Sequence, residues 1–161
     1  MASVLPARPR HGGSRRNIAI VVSTYHDEFA RGLVAHARRE IEEIAPGSSI
    51  EIIDVPGSFE VPLVVQSVAE RGECDAVIAF GVLLQGQTAH ARLISSAVTE
   101  ALMRITLATH VPVIHEILVV DDEEQARARC LGDEINRGTE AARVAVRMAE
   151  VMSQFSRRPM R

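Results

Sequence analysis

The 161-residue chain contains no lysine: all 18 of its basic residues are arginine. That excludes chemistry needing the protein's own lysine, whether a Schiff base through its side chain or a P-loop that binds phosphate with one. An anion must instead be held by arginine, backbone N–H groups or a helix N-terminus. Tryptophan is also absent and tyrosine occurs once, which argues against stacking platforms for single-stranded nucleic acid. The two cysteines, Cys74 and Cys130, are far apart and in no C-x-x-C pair. They suggest neither a disulfide framework nor a thiolate zinc site and read as packing residues. No apolar run approaches the roughly 20 residues of a membrane helix, and the first residues lack the charged-then-apolar order of a signal peptide. The expected compartment is the cytoplasm, with neither membrane nor nucleic acid as partner.

What is present is ordinary globular material, with 47% apolar and 24% charged residues, enough to bury one core at a length that fits one domain. Charge is unevenly placed. Residues 1–16 carry Arg8, Arg10, Arg15 and Arg16 without an acid, and residues 156–161 carry Arg157, Arg158 and Arg161 without one. The body between them holds 11 arginines against 21 acids, a net charge of −10. Solvated basic tails on an acidic domain are the expectation. Pro6, Pro9, Gly12 and Gly13 among those arginines make residues 1–16 a flexible leader, followed by a domain over 17–156 and a basic tail at 157–161.

Within the domain, β-branched runs of strand length alternate with amphipathic stretches. Ile18–Val22, Ile50–Ile53, Ala76–Val82 and Val111–Val120 read as strands. The first helix places Phe29, Leu33, Ala37 and Ile41 on one face, with Asp27 and Glu28 in its first turn. A second starts near Pro62 and ends by Gly72. A third runs from about His90 to Thr109 with Leu93, Ala97, Ala101 and Ile105 as its apolar stripe. A short helix opens at Asp122–Glu124 and stops near Gly132. The last begins around Gly138 and carries Ala141, Ala145, Met148, Met152 and Phe155 inward. Four strands each followed by a helix imply right-handed crossovers and a four-stranded parallel sheet covered on both faces. So small a sheet with so much apolar helix surface predicts self-association.

Ligands of open parallel sheets bind at the carboxyl ends of the strands, which singles out the loops Ser23–Asp27, Asp54–Phe59, Leu84–His90 and Val120–Glu124. In the third, Gly81 ends the strand, Gly86 permits close backbone approach, and Thr88 precedes a helix start at His90. That turn fits an anion site as well as it fits a capped helix start. His90 offers an imidazole, the side chain suited to general acid or base work near neutral pH, and reads equally as an ordinary surface histidine at a helix start. In the second loop, Gly57 lets the chain turn sharply and leaves Glu60 free for hydroxyl groups. Arg129, and Arg137 in Asn136-Arg137-Gly138, are candidate phosphate clamps. His26, His90 and His115 fall near strand ends beside Glu116, but without paired helical spacing a metal-free pocket is the preferred reading.

In this order, Val55-Pro56-Gly57-Ser58-Phe59-Glu60-Val61-Pro62, Gly86-Gln87-Thr88-Ala89-His90, Val111-Pro112-Val113-Ile114, Glu124-Gln125-Ala126 and Asn136-Arg137-Gly138 resemble the lumazine synthase family, over a span from Asn17 to Phe155. The resemblance implies a three-layer, flavodoxin-like α/β domain and pentamers or larger shells with a site shared between neighbouring subunits. It also implies the family's reaction, which joins a ribitylamino-pyrimidinedione to 3,4-dihydroxy-2-butanone 4-phosphate with release of phosphate and water. No cofactor or metal is implied. The substrate's own amine forms the imine, in keeping with a lysine-free chain.

Carried over by position, the resemblance makes Tyr25 a stacking partner for the pyrimidine ring. Ser58, Phe59 and Glu60 line the ring and ribityl chain, and Val82, Leu83 and Leu84 present backbone to the ring. Gln87 and Thr88 hold phosphate beside Arg129, Arg137 can also bind it, and His90 moves protons. His115 and Glu116 stand where the family often has an aromatic residue after Val-Pro-Val-Ile, so His115 alters the wall of the ring pocket. Gln85, Ala91 and Arg92 also depart from the family's usual residues around the turn. A non-catalytic flavin-binding or shell-forming relative is the alternative reading, and a metal hydrolase built on His90, His115 and Glu116 is a third.

Overall fold

A computed structural model describes residues 5–8, 14–86 and 88–155. The four predicted strands form as β1 (Asn17–Ser23), β2 (Ser49–Val55), β3 (Ala76–Leu84) and β4 (Val113–Val120). The helices are α1 (Asp27–Ile44), α2 (Val61–Glu70), α3 (His90–Thr109), α4 (Glu123–Cys130) and α5 (Arg137–Ser153). All pairings are parallel, in the order β2-β1-β3-β4. With helices on both faces this is a three-layer, flavodoxin-like α/β domain.

The alternation of side chains along a strand builds two cores. Ile18, Ile20 and Val22 of β1 join Ile78 and Phe80 of β3 against Leu33, Ala37 and Ile41 of α1 and Ala141, Ala142 and Ala145 of α5. On the other face, Ala19 and Val21 meet Val61 and Val65 of α2 and Val98 and Leu102 of α3. The central strands β1 and β3 are buried on both faces, whereas the edge strand β2 is mostly half-buried or exposed.

Three sequence expectations are corrected. On α3 the buried residues are Ala91, Val98, Leu102 and Ile105; Ala97 is exposed, Ala101 only half-buried, and Leu93 is 68% exposed. The helix is apolar around a wide arc, so two i, i+4 stripes compete, and the one rich in larger side chains packs on the sheet. Phe155 lies beyond the end of α5 and is 72% exposed rather than inward. Gly81 does not end β3, which runs on to Leu84 because β4 pairs with it as far as Leu84↔Val120.

Part of the leader contacts the domain. Glu40 on α1 is buried, and its carboxylate accepts from Arg143 Nε of α5 at 2.7 Å and from Arg8 Nε at 2.9 Å. Arg143 also donates to the Pro6 carbonyl at 2.6 Å. Burial alone would raise the Glu40 pKa, but the hydrogen bonds and charges of Arg8 and Arg143 outweigh it and hold the group below its ordinary value. The rest of the predicted leader, residues 1–4 and 9–13, and the tail at 157–161 lie outside the described residues. Among the described residues, no helix is long and apolar enough to cross a membrane.

Candidate functional site

The cleft forms at the carboxyl ends of the strands because neighbouring strands stop at different heights. Pairing of β3 with β1 ends at Val22↔Phe80, while its pairing with β4 continues to Leu84↔Val120. The side of β3 turned away from β4 is therefore uncovered by any strand over Gly81–Leu84. Val82, Leu83 and Leu84 form the floor of a cleft of about 530 Å³, a size suited to a small molecule.

Three of the four predicted loops contribute its walls. Tyr25 and His26 follow β1; Gly57, Ser58, Phe59 and Glu60 follow β2; and Gly86, Thr88, His90, Ala91 and Ile94 come from the turn and first helical turns after β3. The loop after β4 does not line it. Tyr25 and Phe59 are 78% and 63% exposed. The Tyr25 ring meets His26 edge-on, with centroids 5.0 Å apart.

The glycines serve differently from the sequence expectation. Neither Gly57 nor Gly86 has a positive φ. Gly57 is small because the Glu60 carboxylate folds back over it: a Cβ there would stand 2.7 Å from Oε2. A Cβ on Gly86 would meet only open space within the chain. Gly81, inside β3, makes room for Ser58, whose buried hydroxyl has no hydrogen-bond partner among the described residues.

At the start of α3 the Thr88 hydroxyl accepts from the His90 backbone N–H at 3.4 Å, a weak local cap. The exposed His90, first residue of the helix, lines the cleft beside Thr88. Gln87 lies outside the described residues.

The remaining predicted site residues stand elsewhere. Glu116 on β4 faces α4 and α5, where Arg129, Arg137 and Glu140 act on it. Burial first, then the charge of Glu140, pushes its pKa up to about 7 against the pull of Arg137 and Arg129. Arg137 is ion-paired with Glu140. His115, one residue earlier, points to the opposite face, where its Nε2 lies 2.8 Å from Thr99 Oγ1 of α3. One chain thus gathers Tyr25, Ser58, Phe59, Glu60, Val82, Leu83, Leu84, Thr88 and His90 into the cleft. It leaves His115, Glu116, Arg129 and Arg137 outside the lining.

Ile94 also lines the cleft, a place the sequence motifs do not assign to it, although its position one turn after His90 on the same helix face is a usable signal. Among the described residues no group of three or more His, Cys, Asp or Glu side chains could hold a metal ion.

A parallel α/β domain with a cleft across the carboxyl ends of its strands defines a class of small-molecule-binding proteins. The chain belongs to the 6,7-dimethyl-8-ribityllumazine synthase family, whose model matches residues 15–153. It is 41% identical over 145 residues to the 6,7-dimethyl-8-ribityllumazine synthase of Leifsonia xyli, covering 89% of this chain and 90% of that one. Over the same length it is 39% identical to the synthase of Clavibacter michiganensis and 35% identical to that of Burkholderia multivorans, covering 89% and 82% of those chains.

Proposed function

We propose that this chain is a 6,7-dimethyl-8-ribityllumazine synthase acting in riboflavin biosynthesis. The observation that carries the reading is the convergence, in one cleft, of Glu60, Thr88, His90 and the uncovered strand end Val82–Leu84. Strand backbone offers donors and acceptors to the edge of a planar ring, and the exposed Tyr25 and Phe59 offer apolar faces to it. Glu60 accepts from ribityl hydroxyls. The 5-amino group of the pyrimidinedione attacks the ketone carbon of the second substrate, and the carbonyl oxygen leaves as a first water when the imine forms. Phosphate then departs with its C–O electron pair, and the ribitylamino nitrogen closes the second ring on the remaining carbonyl carbon, whose oxygen leaves as a second water. His90 moves the protons these steps require, and most of the acceleration comes from holding two substrates in register. Membership of a synthase family does not favour a non-catalytic relative.

The active form in this reading is a homo-pentamer, able to associate into larger shells, working in the cytoplasm on small-molecule substrates. His115, Glu116, Arg129 and Arg137 then complete the site from a neighbouring subunit, with Arg129 and Arg137 on the phosphate. Two observations support this: those residues lie outside their own chain's cleft, and Leu63, Leu93, Met103 and Leu107 are exposed large apolar residues on α2 and α3. The domain proper is residues 17–156, with basic segments on either side.

The test mixes purified protein with both substrates and follows product fluorescence against the spontaneous reaction. Acceleration is expected, and its absence would overturn the enzyme reading. Light scattering on the same preparation reads the assembly.

A further inference from the structure

Thr99 sits mid-helix on α3, and its Oγ1 makes two contacts: 2.7 Å to the Ser95 carbonyl oxygen and 2.8 Å to His115 Nε2. A hydroxyl carries one hydrogen, and a carbonyl oxygen can only accept. The Thr99 hydrogen is therefore committed to Ser95, one turn back along the helix. The contact to His115 must then run the other way, with Nε2–H donating to the hydroxyl oxygen. A neutral imidazole bears only one N–H, so this leaves Nδ1 with the ring's single in-plane lone pair.

The two ring nitrogens point in divergent directions. With Nε2 turned into α3, Nδ1 faces away from Thr99, and it makes no hydrogen bond among the described residues. The His115 side chain is only half-buried on its strand, so this acceptor is not sealed within the core. We propose that Thr99 is a positioning residue that fixes His115 as the Nε2–H tautomer, so that Nδ1 accepts a hydrogen bond from a ring N–H of the pyrimidinedione. The ligand in this inference rests on the function proposed above; the tautomer rests only on the hydrogen bonds. An aromatic hydrocarbon side chain at this position would offer a face and no acceptor. His115 with Thr99 would instead select a ring that presents an N–H.

The test uses the full-length protein labelled with ¹⁵N-histidine and magic-angle-spinning NMR at pH 8, a method that tolerates large assemblies. The His115 signals are identified as those lost in His115→Gln. A bare Nδ1 and a protonated Nε2 are expected in the wild type and in Thr99→Ser, and a mixture of tautomers in Thr99→Val. Calorimetric titration with the pyrimidinedione alone should show a roughly 5- to 10-fold weaker Kd in Thr99→Val, restored in Thr99→Ser. Inorganic phosphate should bind all three alike. A protonated Nδ1 in the wild type, or an unchanged Kd in Thr99→Val, would overturn the positioning role. Failure of the wild type to bind the pyrimidinedione at all, with the tautomer as expected, would overturn the proposed function and the ligand with it.

Discussion

Ser58 Oγ lies 2.5 Å from the point that a Cβ on Gly81 would occupy. The same added carbon would stand 3.0 Å from Ile117 Cδ1. The floor of the cleft is thus in contact with its β2-side wall through a position with no spare volume. Gly81→Ala should displace Ser58 and the loop that carries Phe59 and Glu60. About 1–3 kcal/mol of stability should be lost by overpacking, with a raised KM for the pyrimidinedione. Ser58→Ala alone should cost little, since its buried hydroxyl has no hydrogen-bond partner among the described residues. In the double variant the Gly81→Ala cost should shrink, and denaturant unfolding of the four proteins measures that coupling.

His90 and Arg129 have separable roles in the proposed reaction. His90→Ala should lower kcat by about 100-fold or more, as loss of a proton-transfer group does, while light scattering shows the same assembly as the wild type. Arg129→Ala should raise KM for the phosphorylated substrate roughly 10- to 100-fold, the scale of a lost charged hydrogen bond, and leave KM for the pyrimidinedione nearly unchanged. Steady-state kinetics with each substrate varied in turn separates the two. An Arg129→Ala enzyme with wild-type dependence on the phosphorylated substrate would remove its assigned role.

Glu116 makes stability depend on pH. Its folded pKa of about 7 lies above the ordinary carboxylate value because burial and Glu140 disfavour the charge. The folded state therefore holds the proton more tightly than the unfolded chain. Its contribution is fully present below about pH 4.5 and is lost as pH rises to 7. Glu116→Gln, neutral at every pH, should be more stable than the wild type above pH 7 by on the order of 2 kcal/mol. The two should converge near pH 5. Thermal melts of both proteins across that range should show the gap opening upward in pH and not downward.

Asn136 joins α4 to α5 with both ends of its side-chain amide. Its Nδ2 donates to the Cys130 and Gly132 carbonyls at 3.0 and 2.9 Å, and its Oδ1 accepts from the Gly138 and Thr139 N–H groups at 2.8 and 3.3 Å. The residue is fully buried. Asn136→Ala should cost about 2–4 kcal/mol, from a lost N-cap together with carbonyls left without a donor. Asn136→Asp keeps the cap but turns a carboxylate oxygen toward two carbonyls. It should be no better tolerated than alanine, and chemical denaturation of both variants tests this.

Much of the fold was legible because its signals are local. The β-branched runs, the acids at the starts of α1 and α4 and the glycine and proline turns each act within a few residues, and all nine predicted elements appear close to their expected ends. Where a stretch was apolar on more than one face, local pattern could not choose. That is why α3 buries Val98 and Leu102 rather than Leu93 and Ala97. The site divided along the same line. The motifs around Ser58–Glu60 and Thr88–His90 follow β2 and β3, the two strands that flank β1, at one end of the sheet, so their meeting over the end of β1 follows from topology. His115 and Glu116 are neighbours in sequence, yet strand alternation sends them to opposite faces, one to Thr99 and the other toward Arg129 and Arg137.

From its sequence alone, this protein is a parallel α/β domain without lysine chemistry, with binding groups on the loops that follow its strands. Periodicity, turn residues and side-chain chemistry are properties of short stretches, so a one-dimensional pattern carries them. Tertiary structure alone decided that β3 outruns β1 to expose a strand edge, that Ser58 fills the space left by Gly81, and that Thr99 meets His115. Each of those depends on the relative heights and facing surfaces of elements distant in the chain, which only packing sets.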